Sequence, residues 1–361
     1  MIGIVIRKLV WAVVLVIYTL LAAEAFLRAF FPIPLVPRYV CPTPWGIRGN
    51  EPNRVYRHVS PFYNIEMRTN SKGIRADREI PYEKPAGVKR IVLLGDSFGM
   101  GYEVSLEDSF LSQMERSLQQ AGVACEAVNL SVSGFGNAEQ LIFLQEEGFK
   151  YQPDLVVLAW HVTDYDDNVR CGLYTLTDSK LQRNNASYLP GTRAQQVLYS
   201  IPGYQWVADN SQLYNFVRER VAIRIKKLLA WVRKVKSPAA AGAAGPSEDA
   251  KRKYAHDLTV ALLREIEARV TAAGAKFLVL DIPERLSEDS FKSHFPVDDA
   301  LRSMTVYSPI GSFLQNRRER LYWTEHSHRH FTPVATRLVG EGLGAEAMKL
   351  WSNDAATAES K

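Results

Sequence analysis

Gly95-Asp96-Ser97, within RIVLLGDSFGMG, sets a hydroxyl where a short apolar run stops and a turn begins. A serine hydroxyl is a weak nucleophile: to attack an ester carbonyl it needs a base beside it and donors for the oxyanion that forms. A loop leading from a strand end into a helix can offer both an exposed hydroxyl and free backbone N–H groups. Taken alone, the tripeptide is equally an ordinary strand-to-helix turn, so its partners must be sought elsewhere in the chain. His326, His328 and His330 alternate and would share one face of an extended segment. Imidazole is the commonest metal ligand, but no strand is expected there and no carboxylate or cysteine set completes a site, so no metal is assigned. His161 follows the apolar run 155–160 and is a candidate to approach the serine, with a structurally satisfied histidine as the blander account.

The order and spacing of further motifs give these residues a context. From residue 89 to about 343 the chain resembles the SGNH (GDSL-like) hydrolases. The family's first block is similar to the Ser97 turn and its second to Asn129-Leu130-Ser131-Val132-Ser133-Gly134-Phe135-Gly136. The third resembles the run from Pro153-Asp154-Leu155 through Asp164 to Asp167-Asn168, and the fifth His330-Phe331-Thr332-Pro333. The resemblance implies Ser97 as nucleophile and His330 as the base that later protonates the leaving alcohol. It implies the backbone N–H groups of Ser97 and Gly134 as oxyanion donors, and Asp96 as a residue that holds the loop rather than reacts. Two positions depart from the pattern. Thr163 stands where the family has an asparagine donor, and a threonine hydroxyl is shorter and must be oriented by a neighbour. The acid expected two or three residues before the histidine is absent, since Ser327 and His328 stand there. Glu325, five residues before His330, is the nearest carboxylate; a Ser-His dyad, or a register with His328 as base and Glu325 three before it, are the other ways to complete the site.

The elements that must position these groups alternate. Apolar runs at 91–94, 125–130, 155–160 and 276–282 read as strands, and 106–121, 138–148, 250–273 and 333–351 carry helical periodicity. Such alternation predicts an α/β fold, three layers α/β/α around a central parallel sheet, flavodoxin-like, with the site at the carboxyl ends of the strands. Asp164, just past the third strand, is expected to support that end. Residues 32–88 show no sustained period and read as an extended connection over the domain, 89–351 as the hydrolase-like domain, and 352–361 as a polar tail. About 165–250 breaks the alternation and reads as an inserted helical cap. Within it, 211–236 holds eight Lys or Arg against one Glu, more than the chain's whole net charge of +5. An apolar stripe runs along the same stretch, so it is either a solvated surface helix or one that contacts anionic lipid or an acidic glycan. With 44 basic and 39 acidic residues in all, a nucleic-acid partner is not indicated.

Residues 9–23 are apolar but for Thr19, follow Arg7 and Lys8, and with 24–27 reach the roughly 20 residues a bilayer helix needs. The basic pair predicts residues 1–31 as a single-pass anchor with the remainder outside the cytoplasm, periplasmic in a bacterium. Ala23-Glu24-Ala25 has the form of a signal-peptide cleavage site, the competing reading. Three cysteines, Cys41, Cys125 and Cys171, allow one disulfide at most, Cys41 with Cys171, or three free thiols. The function expected is hydrolysis or transfer of an ester, an O-acetyl group on a cell-envelope or exported glycan, without a cofactor. The rivals are a lipid or thioester hydrolase at the bilayer surface and a non-catalytic binding or scaffold protein on the same fold.

Overall fold

The computed structural model describes residues 2–218, 220, 224, 247–324, 327 and 329–359. Helix α1 (Ile2–Phe30) is followed by two hairpins, β1 (Val40–Pro42) with β2 (Arg48–Asn50) and β3 (Val55–Val59) with β4 (Asn64–Arg68). The alternating part then runs β5 (Lys89–Leu94), α2 (Phe110–Gln120), β6 (Cys125–Asn129), α3 (Asn137–Glu146), β7 (Leu155–Trp160), α4 (Asp164–Cys171). The insertion holds the hairpin β8 (Tyr174–Thr177) with β9 (Lys180–Arg183), then α5 (Thr192–Tyr199) and α6 (Tyr204–Asn210). Alternation resumes with α7 (Glu248–Ala272) and β10 (Lys276–Asp281), the hairpin β11 (Glu284–Ser287) with β12 (Ser290–Lys292), β13 (Val306–Tyr307), α8 (Ile310–Gln315) and α9 (Pro333–Glu359).

Five parallel strands form the central sheet in the order β13-β10-β7-β5-β6. Their side chains divide the core by alternation, as a pleated sheet covered on both faces requires. Val92, Leu94, Val156, Leu158 and Trp160 point to the layer that holds α3 and α7. Ile91, Leu93, Leu155, Val157 and Ala159 point to the layer that holds α2, α8 and α9. The expected three-layer α/β/α arrangement around a parallel sheet is therefore the observed one. A third cluster, Tyr39, Tyr56, Met67, Met100 and Tyr102, lies outside these layers and joins the early hairpins to the loop after β5.

Where the structure departs from the sequence reading, short-range chemistry explains it. Residues 32–88 do lie over the domain, but as two hairpins whose strands of three and five residues are too short to show a period. The insertion is part hairpin rather than wholly helical. Helix α2 starts at Phe110, not 106, because Ser105 and Asp108 bond each other in a turn and Ser109 then caps the helix through Ser112 N. Helix α9 runs past 351 to Glu359 and absorbs most of the expected tail, whose Ala355, Ala356 and Ala358 are strong helix formers. The edge strand β13 has two residues and escapes any periodicity test. Most of the basic stretch 211–236 lies outside the described residues. All three cysteines are free thiols, so the Cys41–Cys171 pairing is not formed.

From Gly3 to Phe30, α1 is long and apolar enough to cross a membrane, and its apolar window is not buried in the protein. These are the properties of a membrane span and equally of a signal sequence.

Close approach of α9 to α2 depends on Gly340. A Cβ there would stand 2.5 Å from Gln113 Cβ and 2.6 Å from the Phe110 carbonyl oxygen. Gly340→Leu is expected to lower stability by about 1–3 kcal/mol through overpacking, despite a better helix propensity. Gly311→Ala, where nothing lies within 4 Å, serves as control. Urea midpoints of the two variants against the parent check this, and equal midpoints for Gly340→Leu and the parent would remove the claim.

Candidate active site

Ser97 and His330, 233 positions apart, meet above the sheet: Ser97 Oγ lies 2.8 Å from His330 Nε2. Ser97 stands in the turn that follows β5, at the carboxyl end of the sheet where parallel strands leave room for a ligand. Asp96 holds that turn. Its Oδ1 accepts from Phe98 N at 2.8 Å and its carbonyl from Met100 N at 2.9 Å. His330 sits just ahead of α9 on a loop whose base is closed by the Tyr322–Phe331 bridge and by the bond from Trp323 N to the His330 carbonyl, 2.9 Å.

The carboxylate that the structure brings to the histidine is Glu103, six residues after the serine. Its Oε2 lies 3.4 Å from His330 Nδ1 and accepts from His330 N at 3.3 Å. The Nδ1 contact is an ion-pair distance rather than an aligned hydrogen bond, and catalytic hydrogen bonds are commonly long before a ligand binds. The Tyr63 hydroxyl, from the turn between β3 and β4, donates to Glu103 Oε1 at 2.6 Å. Burial and then the Glu103 carboxylate hold the Tyr63 phenol far above its usual range, so it stays protonated and keeps donating. Glu103 is fully buried and has φ +66°, a backbone conformation non-glycine residues seldom adopt and one that clusters at functional sites. Glu325 and His328, the carboxylate and alternative base read from the sequence, lie outside the described residues, as does His326.

Gly134 needs its φ of +76°, and its carbonyl accepts from Arg48 Nη2 at 2.8 Å. Among the described residues, no acceptor takes the N–H of Ser97 or of Gly134, which leaves both for a ligand. Thr163 is exposed beside them, with its Oγ1 2.9 Å from His161 Nδ1. Burial pushes the His161 pKa down, with Asp96 partly opposing, so its ring is neutral and can orient the threonine hydroxyl. These groups line a cavity of about 390 Å³, together with Arg38, Asp167 and Arg170.

Asp164 does not reach the cavity. It is fully buried, accepts from Asn137 Nδ2 at 3.2 Å and from His161 N at 3.3 Å, and is held well above the usual carboxylate range by burial and by Asp96. Its place is beneath the site. Burial likewise pushes Asp167 up to about 6 and Glu139 up to about 7.

Sequence reasoning missed Glu103, Tyr63 and Arg48. None lies in a motif, and only the position of Glu103 on the nucleophile's own loop could have suggested it.

No protein-family model matches the sequence, and no curated protein matches it. Among solved structures the chain is similar to the psychrotrophic esterase EstA from Pseudoalteromonas sp., at 11% identity over 73% of this chain and 99% of that one, TM-score 0.38. It is similar to the acetyl xylan esterase AlAXEase at 11% identity over 71% and 98%, TM-score 0.37. It is similar also to a GDSL-like lipase from Bacteroides thetaiotaomicron at 10% identity over 73% and 89%, TM-score 0.31. Likeness this remote leaves the chemistry to be read from the site itself.

Glu139 gives the site a pH signature. Its pKa is raised from 4.5 to about 7 by burial, which Arg48 at 4.0 Å offsets only in part. Between those values the folded state binds more protons than the unfolded chain, so stability falls as pH rises through this window. The contribution, on the order of 3 kcal/mol, is fully present below about pH 4.5. Glu139→Gln should flatten the decline in urea stability between pH 5 and pH 8; an unchanged slope would show that Glu139 does not titrate there.

Proposed function

We propose that the chain is a serine-dependent ester hydrolase or acyl transferase of SGNH type, acting outside the cytoplasm on O-acetyl esters of a cell-envelope or exported glycan. The single observation that carries the chemistry is the contact of Ser97 Oγ with His330 Nε2 at 2.8 Å, backed by the Glu103 carboxylate on the far side of the ring. His330 Nε2 takes the Ser97 proton as Oγ attacks the ester carbon. The oxyanion is met by the N–H groups of Ser97 and Gly134, with the Thr163 hydroxyl as a third donor oriented by His161. Collapse of the adduct breaks the bond to the alcohol, which leaves with the proton held on His330. Water, or a second sugar hydroxyl, then gives its proton to His330 and attacks the acyl-serine; the bond to Oγ breaks, His330 returns the proton to Ser97, and acid or a new ester is released. Glu103 keeps the imidazole oriented and stabilises the imidazolium. No step calls for a cofactor.

Support for a polar acceptor comes from the cavity, where Arg38, Asp166, Asp167 and Arg170 put charged groups on the wall. Support for an extracytoplasmic site comes from α1 with Arg7 and Lys8 ahead of its apolar run. The glycan rests on the family resemblance and on that location.

Two measurements test this. The full chain in detergent should be labelled by a fluorophosphonate probe, Ser97→Ala should not be, and His330→Ala should label slower by roughly 10²–10⁴-fold. Labelling that survives in Ser97→Ala, or none in the parent, removes the serine mechanism. Acetylated oligosaccharides should be cleaved in preference to long-chain acyl esters, and the reverse order would move the function to a lipid hydrolase. Separately, Glu103→Gln should slow cleavage of a small activated ester by at least ~10²-fold. Tyr63→Phe, which leaves Glu103 with one donor fewer, should slow it by about tenfold. Full activity in Glu103→Gln would return the acid's role to another residue.

A further inference from the structure

Resting on the reading that α1 spans a bilayer, we infer that the insertion lies on that same bilayer and sets Val197, Ile201 and Trp206 into its headgroup layer. At 1.5 Å per residue a helix of this length measures about 40 Å, longer than the roughly 30 Å hydrocarbon core. With Arg7 and Lys8 at the near edge, roughly 20 residues of core end close to Arg28, so Arg28 and Phe30 stand among the headgroups and Glu24 one turn below them. Phe26 packs on Phe30 and Phe31 there, ring centroids 5.1 and 5.6 Å apart, as an aromatic belt does.

That end of α1 is fastened to the insertion rather than tethered. The Glu24 carboxylate accepts from Ser211 Oγ at 2.8 Å, Gln212 N at 2.9 Å and Leu213 N at 2.7 Å. Arg28, paired with Glu24, donates to the Asn210 carbonyl at 2.5 Å, and the Gln212 amide bonds both the N–H and the carbonyl of Ile33. Asn210 closes α6, and its Nδ2 donates to the Trp206 carbonyl one turn earlier, 2.9 Å. One turn is about 5.4 Å, so the indole lies close to the level at which Arg28 leaves the hydrocarbon.

At this level the insertion shows apolar side chains to the outside. Trp206 is 68% exposed, Val197 67% and Ile201 50%, with Leu198 and Val207 also open. A tryptophan flanked by valine and isoleucine beside a membrane exit matches an interfacial helix surface, which gains by burying its apolar face at the acyl boundary. Tyr199, on α5, packs at a tilt on Tyr39, ring centroids 5.5 Å apart, so this contact also holds the rest of the domain over the membrane.

The test uses the full chain in phospholipid nanodiscs, with a fluorophore on Ile201→Cys, Trp206→Cys, Leu15→Cys or Val297→Cys. The parent carried through the same labelling gives the blank for its own thiols. Lipids with a doxyl quencher high on the acyl chain should reduce emission at 201 and 206 by about twofold or more, and at 15, while 297, 97% exposed, is unaffected. Quenching at 15 but not at 201 and 206 overturns the inference and leaves the anchor standing. No quenching at 15 takes down both. Equal quenching at 297 reports non-specific collision with lipid and overturns the inference as well.

Discussion

A carboxylate with no access to water, Glu103, is the constraint on which the site depends. Burying such a charge costs several kcal/mol unless bonded partners surround it. Its partners among the described residues include the Tyr63 hydroxyl on one oxygen and the His330 backbone and ring on the other. Neither of these belongs to the loop that carries Glu103, so the β3–β4 hairpin and the segment ahead of α9 both close on that loop. Arg75 reinforces the arrangement by donating to the carbonyls of Met100, Gly101 and Val104 around Glu103, while itself fully buried.

Residues 32–88 thus contribute contacts to the candidate site rather than merely leading in to it. Arg48 holds the Gly134 carbonyl, Asn50 bonds the Ser131 carbonyl at 3.1 Å, and Tyr63 holds Glu103. A run of rings, Tyr199, Tyr39, Tyr56, His58, Tyr102 and His330, joins the insertion to the candidate site with successive centroids 4.5 to 5.6 Å apart. Packing of that kind transmits position, because interiors are dense and their side chains interdigitate. What seats the insertion therefore also bears on where His330 stands.

The sequence made the sheet legible because central parallel strands, buried on both faces, are continuous apolar runs such as IVLL and LVVLAW. Ser97, Gly134 and His330 stand out in the sequence for a related reason: each lies in a loop next to a strand or helix end, where local geometry favours particular residues in a short motif. Glu103 does not, since its role depends on a partner 227 positions away and on a left-handed backbone that no neighbouring residue announces. The hairpins at 40–68 were illegible because strands of three to five residues carry too few alternations to register.

Placing Glu103 on the same loop as Ser97 changes what fixes the geometry. When acid and base share a short segment, that segment can move as a unit and keep their contact. Among the described residues, His330 lies between Ser97 on one side and Glu103 on the other, both delivered by residues 97–103. Both contacts tie His330 to the segment that follows β5, so a shift of His330 would break the two together. The Tyr322–Phe331 bridge and the bond from Thr332 N to the Leu321 carbonyl at 3.0 Å oppose such a shift at the base of the loop. Tyr63, on the connection ahead of the sheet, adds its hydroxyl to the Glu103 carboxylate and so ties that connection to the same assembly of contacts.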